Sequence, residues 1–85
     1  MPQNSEILQA MDLLKLRGFR PILHRIIKSG GVEEVDGLEI SSSPFFLDRN
    51  SDILRGILGD NFKVTPFPNQ NYIYVSTFRK NDLIQ

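Results

Sequence analysis

One segment limits the folds open to this chain more than any other: Tyr72-Ile73-Tyr74-Val75-Ser76-Thr77-Phe78. Aromatic and β-branched residues dominate it, which favours a strand. Successive side chains of a strand point to opposite faces. Ile73 and Val75 therefore form one apolar face, and Tyr72, Tyr74 and Phe78 form the other. An antiparallel sheet commonly keeps one dry face and one wet face, but here both faces call for cover. Tyrosine suits a half-buried surface with its hydroxyl in water. Three kinds of cover fit the tyrosine side: helices of the same chain, a protein, or nucleic acid.

With 85 residues the chain has room for one domain, and 40% hydrophobic residues suffice for a core. The expected unit is 1–85, with an ordered core over about 5–78 and a loose tail over 79–85. Cysteine is absent, which removes disulfides, thiolate metal sites and cysteine nucleophiles. The polar start Met1-Pro2-Gln3-Asn4-Ser5-Glu6 lacks the positive and apolar regions of a secretory signal. No run approaches the ~18–20 apolar residues of a membrane span. A cytoplasmic protein without a membrane partner is the expectation.

Ten basic and ten acidic side chains cancel overall, but not locally. Residues 1–30 carry a net charge of +3, residues 31–60 carry −5, and residues 61–85 carry +2. Such polarity can steer a charged partner.

Along the chain, Asn4 or Ser5 can cap a first helix whose apolar positions are Ile7, Leu8, Met11 and Leu14. Gly18 is its expected stop, with Phe19 as a hydrophobic clasp. Pro21 then suits the first position of a second helix, running to about Ser29, with Ile22, Leu23, Ile26 and Ile27 inward. Gly30-Gly31 would end it. Asp36-Gly37 is a strong two-residue turn signal, so Val32–Ile40 reads as a hairpin. That pairing sets Glu34 against Glu39, a like-charge contact costing roughly 0.2–1 kcal/mol. Ser51 is the expected cap of a short third helix over Asp52–Leu58, ended by Gly59. Phe62 and Val64 begin a strand, and the proline-rich connection Thr65–Asn71 cannot be a central one. The fold class is α+β: two N-terminal helices, a short third helix, and two β-hairpins in an antiparallel sheet.

If 21–29 is helical, Arg17, Arg20, His24 and Lys28 recur at intervals of three and four and form one cationic stripe. Such a stripe can grip phosphates or a charged partner. More often it is the solvated face of an amphipathic helix. Lys28-Ser29-Gly30-Gly31 is like a phosphate loop only in composition, because its glycines follow a helix instead of opening one. His24 is the only histidine, too few for a zinc site. Ser41, Ser42 and Ser43 lack the glycine-flanked elbow that exposes a nucleophile. Asp48 and Asp52 suit a helix start better than paired acid–base work. No enzyme, cofactor or metal is expected.

The order helix, helix, insertion, helix, strand, turn, strand also resembles a winged-helix domain, with Asp52–Leu58 as recognition helix and Pro66–Asn71 as wing tip. That resemblance implies nucleic-acid binding, but Arg55 is the one cation on the helix, beside Asp52 and Asp60. The expected function is a small binding module that recruits or masks a protein partner, a second copy of the chain included. Phe67, Tyr72, Tyr74 and Phe78 are its anchors. The alternative is a nucleic-acid-binding regulator that uses Arg17, Arg20, His24 and Lys28 together with Lys63, Arg79 and Lys80.

Overall fold

The computed structural model describes residues 2–77, with side chains from Ser5 onward. Helix α1 spans Pro2–Leu16 and helix α2 spans Leu47–Leu58. The strands are β1 (Ile22–Ile27), β2 (Glu33–Ser41), β3 (Phe62–Phe67) and β4 (Tyr72–Thr77). They form one antiparallel sheet in the order β1-β2-β4-β3. The fold is therefore a small α+β unit with two helices and a four-stranded sheet.

Register explains the core. Leu23, Leu38, Val75 and Val64 lie side by side across all four strands, and Ile40, Ile73 and Pro66 form the next row. Leu38, Ile73 and Val75 are fully buried. Both helices lie over this face. From α1 come Ile7, Ala10 and Leu14, at the three- and four-residue spacing of one helical stripe. From α2 come Leu47 and Leu54.

Helix α1 ends as a Schellman motif. Gly18 takes a φ of 91°, its N–H reaches the Lys15 carbonyl at 3.1 Å, and the Phe19 N–H reaches Leu14 at 3.0 Å. The Gly18 stop and Phe19 clasp expected from sequence are both present, and Phe19 packs on the core.

Three expectations are corrected. Residues 22–27 form strand β1, not a second helix. Ile22, Ile26 and Ile27 are β-branched and lose rotamer freedom in a helix, and β2 supplies the partner ladder. The stretch 33–41 is one continuous strand, not a hairpin about Asp36-Gly37. Those two residues sit at a register shift, where His24 opposes Gly37 and Arg25 opposes Val35. Asp36 is the extra residue of a β-bulge. The true turn is the single 3-10 turn Ser29–Gly31, closed by Lys28 N–H to Val32 carbonyl at 2.8 Å. With it, the facing of Glu34 and Glu39 disappears: Glu34 lies opposite Ile26, and Glu39 opposite Ile22 and Tyr74. Lastly, α2 starts at Leu47 instead of after Ser51, behind a 3-10 turn at Pro44–Phe46. Ser51 is buried inside the helix, where its hydroxyl donates to the Leu47 carbonyl at 2.8 Å. With two helices and this strand order, the winged-helix arrangement is not found.

The hairpin β3–β4 is present, but Thr65, Pro66 and Phe67, expected in the connection, continue β3 and pair with β4; β3, which holds Pro66, is an edge strand. No helix of the described residues is long and apolar enough to cross a membrane.

Candidate functional site

The sheet face opposite the helices is built from the alternate residues of each strand. Ile22, Glu39, Tyr74 and Thr65 form one row across it, and Ser41, Tyr72 and Phe67 form the next. His24 and Gly37 oppose each other further along. As the alternation of 72–77 implied, Ile73 and Val75 are fully buried on the helix side while Tyr72 and Tyr74 are half-buried on this one.

A polar cluster occupies the centre. The His24 Nδ1 lies 2.6 Å from Asp36 Oδ1, and the Tyr74 hydroxyl donates to Asp36 Oδ2 at 2.7 Å. One carboxylate thus holds both rings, and hydrogen bonds to an ionised group are stronger than neutral ones. The other His24 nitrogen, Nε2, lies 3.6 Å from Glu39 Oε2. His24 and Tyr74 meet edge to face, with centroids 5.3 Å apart, a favoured aromatic geometry. The bulge is what turns Asp36 toward both rings.

Gly37 makes the cluster possible. A Cβ there would press on the Val75 carbonyl oxygen and come within 2.8 Å of Tyr74 ring carbons. The tyrosine ring therefore lies directly on the glycine backbone. Tyr74, expected as a docking anchor, has its hydroxyl engaged by Asp36 inside the fold.

Tyr72 is placed differently. It stacks in a tilted pair with Phe67, centroids 5.1 Å apart and planes at 31°, and Phe67 is 37% exposed. The two rings form an apolar corner at one end of the open face. Phe78, the remaining expected anchor, lies outside the described residues.

The expected cationic stripe is dispersed, because residues 22–27 are not helical. Arg17 follows the end of α1, Arg20 precedes β1, and His24 is held by Asp36. Lys28 pairs with Glu34 at 2.9 Å. Lys63 lies on β3 opposite Ser76, on the open face. Arg79 and Lys80 lie outside the described residues.

Both nitrogens of His24 face carboxylates, whereas a nucleophile's base needs one nitrogen on a hydroxyl or thiol. Among the described residues no group of three or more histidine, aspartate or glutamate side chains could hold a metal ion. Sequence reasoning missed Asp36, Gly37, Glu39, Ile22 and Ile26 as members of this face. The readable signal was three isoleucines within six residues, a composition that favours a strand.

No protein-family model, curated protein or solved structure matches the chain.

Proposed function

We propose that the protein is a non-catalytic binding module whose helix-free sheet face docks a protein partner, with Phe67 and Tyr72 as the anchor. One observation carries the proposal: an aromatic pair, Phe67 exposed and Tyr72 half-buried, sits on a sheet face that neither helix covers. Aromatic residues with a polar surround typify protein-docking surfaces. Tyr74, His24 and Asp36 stiffen the platform beside that pair.

Nucleic acid fits the same face less well. Glu34, Asp36 and Glu39 project from it, and carboxylates repel phosphates. Among the described residues, the lysines on this face are Lys63, four residues along β3 from Phe67, and Lys28, already paired with Glu34, whereas stacking platforms are flanked by several cations.

Affinity purification on the immobilised chain, compared with a Phe67→Ser/Tyr72→Ser variant of unchanged melting temperature, tests the proposal. Proteins retained by the wild type and lost from the variant support it. Identical retention by both chains overturns it. A retained fraction that is nucleic acid, with affinity falling steeply as salt rises, favours the alternative.

A further inference from the structure

The two outer strands of the sheet are protected unequally. At one edge, β3 carries Pro66, which has no N–H, and the Arg55 guanidinium donates to the Val64 carbonyl at 3.1 Å. Proline and occupied carbonyls are ways of closing an edge to further pairing. At the other edge β1 reads Ile-Leu-His-Arg-Ile-Ile, without proline, and among the described residues it is hydrogen-bonded to β2 alone. The Lys28 amide is spent on Val32, within the β1–β2 turn. By the alternation of an antiparallel ladder, the backbone groups of Ile27, Arg25 and Leu23 then point away from β2. Ile22 and Ile27, at the two ends of the strand, are 61% and 74% exposed.

Charge selects what can pair there. Arg20 and Arg25 are exposed, and among the described residues neither is paired with a carboxylate. The segment from Arg17 to Lys28 contains no acidic residue. A second copy would bring the same cations against this edge, and like charges directly opposed are unfavourable. An open groove of about 480 Å³ adjoins the start of β1, lined among others by Phe19, Arg20, Ile22, Ile40 and Ser41. Its walls combine apolar surface with one guanidinium, which suits a carboxylate on an apolar stem.

We infer that β1 is an acceptor edge for an extended acidic peptide, which adds as a fifth strand and seats a glutamate side chain near Arg20. Backbone pairing supplies affinity in this mode, and alternate side chains supply selectivity. The edge lies across the sheet from Phe67, so loss of binding here leaves the aromatic proposal standing, and the reverse.

The test uses the full chain and a fluorescent synthetic peptide alternating valine and glutamate. Two further probes accompany it: a valine–lysine peptide, and the valine–glutamate peptide N-methylated at alternate amides. Expected results are saturable binding of the first probe and roughly tenfold or greater weakening for both others. Arg25→Glu should weaken the first probe by a similar factor, and Arg25→Gln by less. Phe67→Ser/Tyr72→Ser should leave it unchanged. The inference is overturned by no saturable binding, by equal binding of the lysine peptide, or by indifference to N-methylation. It is equally overturned if oligothymidylate binds the edge more tightly than the peptide, or if sedimentation shows a dimer that Arg25→Glu stabilises. The N-methylated probe decides the matter on the wild type even if the Arg25 variants fold poorly.

Discussion

Replacing Gly37 with alanine should destabilise the protein by about 2–3 kcal/mol, and the size of that effect should depend on Tyr74. The added methyl meets the Val75 carbonyl and lies 2.8 Å from two Tyr74 ring carbons. The ring must move, and because the nearest contact is the Val75 carbonyl, the backbone of a four-stranded ladder must shift as well. Overpacking of this kind costs about 1–3 kcal/mol. A displaced ring also weakens the 2.7 Å hydrogen bond from Tyr74 to Asp36. Bonds to a charged group contribute about 1.5–3 kcal/mol, and half-burial places this one at the low end. Alanine returns about 0.4–1 kcal/mol by restricting the unfolded chain. For a domain of this size the net effect lowers the melting temperature by about 10–20 °C. Urea titrations followed by circular dichroism, on wild type, Gly37→Ala, Tyr74→Ala and the double variant, measure it. Without the ring, alanine at 37 clashes only with the carbonyl, so the cycle should show a coupling of about 1 kcal/mol or more. A glycine at the tip of a hairpin turn would show none. Additivity within about 0.5 kcal/mol, or a neutral Gly37→Ala, would refute the seat of Tyr74 on Gly37.

Asp36→Asn keeps the side-chain shape but removes the charge that holds His24 and Tyr74; a loss of about 1–2 kcal/mol in urea titration is expected, and no loss would show that the cluster does not stabilise the bulge. Leu54, fully buried in α2, should cost about 2–5 kcal/mol on change to alanine, whereas Leu16, 83% exposed in α1, should change stability by less than about 0.5 kcal/mol. Asn71 adopts φ 57° between β3 and β4, so Asn71→Gly should be nearly neutral while Asn71→Val costs about 1–2 kcal/mol in melting measurements. Amides of Leu23, Arg25 and Ile27 should exchange with solvent faster than those of His24 and Ile26; a uniformly slow β1 by NMR would mean that its outer edge is already paired.

Much of the fold is legible locally. The alternation in 72–77 shows which side of β4 is buried, because a strand's two-residue period ties sequence parity to face. The Gly18 and Gly59 stops are legible because a positive φ is cheap for glycine. In α1, Ile7, Met11 and Leu14 are legible from their spacing, whereas Leu8, expected on the same stripe, is 47% exposed and Ala10 is buried in the core. The aromatic neighbourhood of Phe67 and Tyr72 is legible too, since a tight β3–β4 connection leaves the two rings few other places to lie.

Residues 21–29 were ambiguous for a physical reason. Ile22, Leu23, Ile26 and Ile27 satisfy a helical spacing and equally a strand that is apolar on both faces. In the folded chain the choice falls to β2, whose Leu38 takes Leu23 into the core row and whose Glu34 meets Lys28. Asp36-Gly37 is the same kind of case. Its local chemistry serves a turn or a bulge, and what makes it a bulge is two distant rings, His24 and Tyr74, converging on one carboxylate over a residue without a side chain. Periodicity and backbone preference act within a few residues, so the chain alone dictates the helix stops, the core face of β4 and the edge position of β3. Partners outside that range dictate the rest: β2 decides the strand at 22–27, while His24, 12 residues from Asp36, and Tyr74, 38 residues from it, decide the bulge and the polar cluster on the face away from the helices.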